Sequence, residues 1–178
     1  MGNRMKSLKF IFLFAALVFL CSAALFSCKT ESNINIDLKD LADVIADKAG
    51  VDLSEDVIFF SPEQIATYYG IITDDTVQLV VIKKLDISNP TNAEVLILVE
   101  AKDKDKAKEI ENSLKVSKTN KLNELMNYTI NPDNERQYYI VEAADIIVNQ
   151  QYVFWAVFPE TKEIGDIISD YIKNNNTP

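Results

Sequence analysis

The sequence predicts an α+β domain: a two-layer sandwich with a four-stranded antiparallel sheet built from two β-hairpin-plus-helix units, and two extra N-terminal helices. Three observations carry this. Two pairs of strand-like apolar runs, 76–85 with 93–101 and 137–148 with 152–158, are each followed by a helical pattern, from Asp103 and from Pro159-Glu160. The runs of each pair are separated by turn residues, Ser88-Asn89-Pro90-Thr91-Asn92 and Asn149-Gln150-Gln151, which makes each pair a hairpin. Residues 37–173 are also the right length for one core, with no staple required.

Taken in order, Asp37 caps a helix that puts Leu38, Leu41, Ala42, Ile45, Ala46 and Ala49 on one face, and Gly50 ends it. Residues 57–60 are too short to classify. Ser61-Pro62-Glu63-Gln64 is a capping box with proline at the first helical position, and that helix stops at Gly70. Strands 76–85 and 93–101 are apolar on both alternating sets, so the sheet should be covered on its second face as well. The helices from Asp103 and Glu160 are expected on one face, those from Asp37 and Pro62 on the other. In 103–127, Ala107, Ile110, Leu114, Leu122, Leu125 and Met126 fall at helical spacing, while Val116-Ser117-Lys118-Thr119 weakens the middle. Asn131-Pro132-Asp133-Asn134 breaks the chain. Ile164, Ile167, Ile168, Tyr171 and Ile172 form the stripe of the last helix, and 174–178 is a frayed tail.

The N-terminus carries an address. Arg4, Lys6 and Lys9 precede an apolar run from Phe10 that ends in Leu25-Phe26-Ser27-Cys28, the pattern of a secretory signal with a lipobox-like end. Residues 1–27 read as a lipoprotein signal peptide, Cys28 as the lipid attachment point, and 28–36 as a polar tether. The thiol is the nucleophile toward the lipid donor, and small neighbours suit a narrow peptidase site. Two alternatives stand beside it: an uncleaved membrane anchor over 10–28, and an ordinary signal cut near Ala23-Ala24. All three place the body outside the cytoplasm, the first two at the cell membrane.

Composition excludes much. The chain has 18 Lys+Arg and 27 Asp+Glu, and the first 27 residues hold three of the cations and no acid. The mature chain therefore carries 15 against 27, a net −12, which disfavours nucleic acid and anionic lipid surfaces as partners. There is no histidine, and Cys28 is the single cysteine after the signal. That removes Ser-His-Asp and Cys-His catalysis, and zinc and haem sites of the familiar kinds. Four glycines, at 2, 50, 70 and 165, cannot build a phosphate loop or a dinucleotide fingerprint. No cofactor and no metal site is expected. The Asp-Lys alternation at 103–106 lacks the glycine and final glutamate of a calcium loop and reads as a solvated helix start.

Tyr69-Gly70-Ile71, the Glu94-Val95 strand leading to a Lys-rich helix with Ala107 and Ile110, the break from Tyr128 to Pro132, and Tyr152-Val153 opening the last strand together resemble a known family. It is a set of small lipoproteins, mostly from Gram-positive bacteria, that share an uncharacterised domain, domain-of-unknown-function family 4358. Gln151 stands where that family usually has glycine. The resemblance implies a lipoprotein and this fold; it implies no catalytic residue.

Tyr68, Tyr69, Tyr138, Tyr139, Tyr152 and Trp155 are a candidate aromatic binding surface for a sugar or peptide, set against a bland reading as edge residues. Asp74 with Asp75, or Glu142 with Asp145, are candidate acid pairs for a carboxylate-dependent hydrolase acting on a cell-wall or glycan substrate. An inward-facing Glu142 or Asp145 would need Arg136 or Lys83 as a partner. The leading expectation is a lipid-anchored binding or adaptor module that meets a protein or cell-wall partner. The hydrolase and a plain spacer at the cell surface are the alternatives.

Overall fold

The computed structural model describes residues 34–175 apart from 87, 90 and 128–131. The signal segment, Cys28, the first part of the tether and positions 176–178 lie outside the described residues. The elements are α1 (Leu38–Ala49), β1 (Val57–Phe59), α2 (Pro62–Tyr69), a 3-10 turn (Thr73–Asp75), β2 (Thr76–Lys84), β3 (Val95–Ala101), α3 (Lys104–Asn127), α4 (Pro132–Ala143), β4 (Ile146–Asn149), β5 (Tyr152–Val157) and α5 (Thr161–Asn174).

The expected caps form. The Asp37 carboxylate accepts from the Lys39 and Asp40 amides at 2.9 and 3.1 Å, and Gly50 closes α1 with φ +65°. Ser61 and Gln64 make the reciprocal capping box of α2, and Gly70 ends it at φ +66°. α3 runs unbroken through 116–119, where the hydroxyls of Ser117 and Thr119 donate back to the Ser113 and Lys115 carbonyls at 3.0 and 2.9 Å.

The sheet has five strands, not four, all antiparallel, in the order β1-β2-β3-β5-β4. The three residues of β1 add an edge strand that periodicity could not resolve. The expected strand 137–148 is mostly α4, followed by the short β4. The reason is visible in its burial: Asn134, Gln137, Ile140, Val141 and Ala144 are buried at helical spacing, and Pro132, Asp133 and Glu135 suit a helix start. The run Tyr138-Tyr139-Ile140-Val141 imitates a strand only when its neighbours are ignored.

The architecture has three layers, which corrects the two-layer expectation. On one face, α1 and α5 bring Leu38, Leu41, Ile45, Ile164, Ile168 and Ile172 onto Leu96, Leu98, Phe154 and Ala156. On the other, α3, α2 and α4 bring Ile110, Leu114, Leu125, Ile65 and Val141 onto Val95, Ile97, Val99 and Trp155. The helices from Asp103 and Glu160 thus lie on opposite faces. α3 and α4, of 24 and 12 residues, already occupy one face with α2, and the apolar stripe of α5 is left with the face that α1 covers. Both faces are covered, as the doubly apolar strands require.

Tyr152 binds the start of the body to the face covered by α1 and α5. Its hydroxyl accepts from the Ile36 amide and lies 3.2 Å from both the Ile34 carbonyl and a Glu100 carboxylate oxygen. Gln78 donates to the other Glu100 oxygen at 3.0 Å, and its own amide oxygen takes the Leu38 amide at 3.4 Å. Ile34 and Ile36 are consequently buried, so the packed body begins six residues after Cys28.

Candidate functional site

Strand register lays out the floor of the site. Ile58 pairs with Lys83, Lys83 with Val95, and Val95 with Val157, one row across four strands. Period two puts Leu79, Val81 and Lys83 on the same face of β2, so Lys83 ends an otherwise apolar set beneath α2 and α3. Over this row opens a cavity of about 490 Å³, walled by Tyr68 and Tyr69 of α2, Phe60, Trp155, and Lys121 with Glu124 of α3. Phe60 stands 5.5 and 5.9 Å from the rings of Tyr68 and Tyr69, tilted and edge-on.

Small residues let α2 close against α3. The Ser117 hydroxyl lies 3.2 Å from the Tyr68 carbonyl, and a Cβ on Gly70 would come within 3.1 Å of Ser113 Cβ. Glycine is needed at position 70 twice over, for its positive φ and for this approach.

Lys83 is held from behind. Its ammonium donates to the Asn92 carbonyl and, at 3.3 Å, to the Glu94 carbonyl. α4 fixes that connection in turn: Gln137 accepts from the Ala93 amide at 2.9 Å, and the Thr91 hydroxyl donates to Asn134. Burial pushes the Lys83 ammonium down to about 8, and the nearby Lys121 charge pushes the same way against Glu94 and Glu124. Burial, with help from Tyr68, holds the Tyr69 phenol above its ordinary range. Glu94 is raised by burial, against the pull of Arg136 and Lys83. Lys121 is ion-paired with Glu124 at 3.1 Å. Among the described residues Lys83 has no carboxylate within ion-pairing distance.

The six aromatic candidates do not form one surface. Tyr68, Tyr69 and Trp155 meet at this cavity. Tyr152 is wholly buried on the opposite face of β5, since an interval of three residues along a strand changes face. Tyr139 is exposed and lines a separate shallow cavity with Arg136, and Tyr138 packs beside it at 5.8 Å. Phe60, Lys83, Lys121 and Glu124 complete the site without having been singled out as binding residues. The signal for Lys83 was available: a lysine in register with Leu79 and Val81 falls on a buried set.

The acid candidates stand apart. Asp75 pairs with Lys106 at 3.3 Å, and Asp74 is exposed beside it. Glu142 is exposed at the end of α4, where the Tyr138 hydroxyl reaches it at 3.5 Å. Asp145 is also exposed, at the rim of a cavity of about 540 Å³ under α5 that Asp166 and Lys162 share. Neither Glu142 nor Asp145 takes Arg136 or Lys83 as a partner. Among the described residues no group of three metal-ligating side chains gathers, and no helix is long and apolar enough to cross a membrane.

A family model described as a domain of unknown function (DUF4358) matches residues 49–158, more than half of the 178-residue chain. No curated protein and no solved structure matches. The matched segment contains all five strands, α2, α3 and α4, and every residue that lines the aromatic cavity.

Proposed function

The chain belongs to the DUF4358 family, and from that premise we propose that it is a lipid-anchored extracytoplasmic protein whose body is a binding module, with its ligand site in the cavity between α2, α3 and the sheet. The observation that carries the binding role is the cavity itself. Three of the six aromatic candidates converge there with Phe60 on an apolar floor, around one half-buried ammonium, which is the usual make-up of a small-molecule site.

Anchoring rests on the N-terminal residues. A charged start, an apolar run and Leu25-Phe26-Ser27-Cys28 make Cys28 the graft point for a diacylglyceryl group. Six peptide units then join Cys28 to the buried Ile34, a reach of about 20 Å at full extension. The module would therefore work close to the membrane surface, on partners or solutes found there.

Two measurements test the two halves separately. Cys28→Ala should release the protein from the membrane fraction and leave its N-terminus without lipid by mass spectrometry; a variant still membrane-bound removes the anchor. For the site, Trp155 is the chain's one tryptophan, so its emission reports on the cavity. Methionine at Tyr69 should weaken any ligand that moves this emission, and a ligand equally bound by that variant would place the site elsewhere.

A further inference from the structure

We propose that the α2–α3 cavity takes a small monoanion with an apolar ring, its carboxylate seated on Lys83 and its ring among Phe60, Tyr68, Tyr69 and Trp155. The inference rests on the reading of this cavity as the module's ligand site, and it names the ligand class.

The charges lining the cavity are unequal: two ammonium groups, Lys83 and Lys121, against the one carboxylate of Glu124. Glu124 is already spent on Lys121 at 3.1 Å. The Lys83 ammonium has three donors; two go to the Asn92 and Glu94 carbonyls, and these bonds fix the group at the cavity floor with one N–H remaining. A neutral ligand would leave that partly buried charge with no carboxylate among the described residues in ion-pairing distance, only the more distant pull of Glu94 and Glu124, and facing the Lys121 charge that opposes it. A carboxylate supplies the missing counter-charge and a charge-assisted hydrogen bond together.

The rest of the lining sets the body of the ligand. Ile58, Val95 and Val157 form an apolar floor, and four rings surround it, which favours a ring or compact hydrocarbon over a chain of hydroxyls. The volume of about 490 Å³ is that of a small organic molecule and not of a folded partner. A single charge is favoured over a polyanion because the surrounding protein is itself acidic, with a formal net charge of −9, and repels each further negative charge.

The test uses the full chain in detergent and three probes of similar size, the isosteric pair phenylacetate and phenylacetamide and the cation phenethylammonium, each titrated against Trp155 emission. Phenylacetate should bind at least about tenfold more tightly than the amide, the ordinary value of one charge-assisted hydrogen bond, and the ammonium more weakly still. Lys83→Met, checked for cooperative unfolding, should bring acid and amide to equal affinity, whereas Lys83→Arg should keep the acid ahead. Raising the pH from 7 to 9.5 should weaken phenylacetate about tenfold in the parent chain and leave Lys83→Met unmoved. The titratable groups around Lys83 are Lys121 and Glu124 from α3, Glu94 from the β2–β3 connection, and Tyr68 and Tyr69 from α2. Equal binding of all three probes overturns the anionic class while leaving the cavity as a site. Silence of Trp155 toward all three overturns both.

Discussion

Lys83→Met should abolish a rise in stability that the parent chain shows between about pH 8 and pH 10.5. Lys83 has its folded-state value lowered to about 8 from an ordinary 10.5, with burial as the main cause. Inside that window the unfolded chain still binds a proton that the folded chain has released, so stability increases with pH. Below about 8 both states are charged and the folded state carries the full cost of a buried ammonium. Above 10.5 both are neutral and the cost is gone. At about 1.36 kcal/mol per pH decade, the interval is worth at most about 3.4 kcal/mol. Between pH 7 and pH 10 about 2.5 kcal/mol of this is recovered, and residual solvent at the cavity brings the expected gain to about 2 kcal/mol.

The comparison at pH 7 alone decides nothing, because two effects oppose each other. Methionine removes the half-buried charge, which stabilises, but takes the ammonium donor from the Asn92 carbonyl and one of two donors from the Glu94 carbonyl, which destabilises. Their difference between two pH values removes everything except the titration of Lys83. The assay is urea unfolding followed by Trp155 emission, for parent and variant, at pH 7 and pH 10. A parent chain whose stability changes with pH just as the variant's does would refute the placement of this ammonium in a desolvated floor.

Three further outcomes follow from the same structure. Gly50 and Gly70 share a positive φ of +65° and +66°, but a Cβ at Gly50 meets nothing within 4 Å whereas one at Gly70 crowds Ser113 at 3.1 Å. Alanine at position 50 should cost about 1 kcal/mol of strain, and at position 70 clearly more, by urea titration; equal losses would remove the close approach of α2 to α3. Tyr152→Phe leaves the buried Ile36 amide without its acceptor and should cost about 2 kcal/mol, or about 8 °C in Tm, with faster hydrogen exchange at Ile36; an unchanged Tm would show the hydroxyl to be idle. Ser61→Ala removes one half of a capping box and should cost about 1 kcal/mol, read as a lower midpoint at constant m-value.

Local chemistry was legible in the sequence wherever a few neighbouring residues decide the outcome. Asp37, Ser61, Pro62, Gln64, Gly50 and Gly70 mark helix ends by their own hydrogen bonds and dihedrals, and those ends fall where expected. The two-sided burial of β3 was legible because Val95, Leu96, Ile97, Leu98 and Val99 leave no polar face. What failed was the segment 137–148. There the dense apolar run imitates a strand, two of the buried positions that set the helix, Asn134 just before it and Gln137 at its start, are polar, and their burial is made possible by a loop 43 and 44 residues away that they hydrogen-bond. No local pattern contains that loop. The same holds for the aromatic candidates, since which face of β5 carries Tyr152 and which Trp155 is local, but which helix covers each face is not.

The position of the cavity follows from a mismatch of lengths. α3 leaves the C-terminal end of β3 and runs back over it; from Ala107 to Lys121 is about 21 Å at helical rise, and from Ala101 back to Val95 about 20 Å at strand rise. Lys121 therefore arrives above the Val95 row, and in the next turn Glu124 faces the cavity while Leu125 packs into the core. α2, only eight residues long, covers one side of that row and no more. The row Ile58–Lys83–Val95–Val157 is thus roofed at its edges by Tyr68, Tyr69, Lys121 and Glu124 and left open between them. A fully apolar row there would gain by being covered. A lysine in the middle of it gains only if something with a negative charge comes in from outside, and this is why the same residue carries both the stability prediction and the ligand proposal.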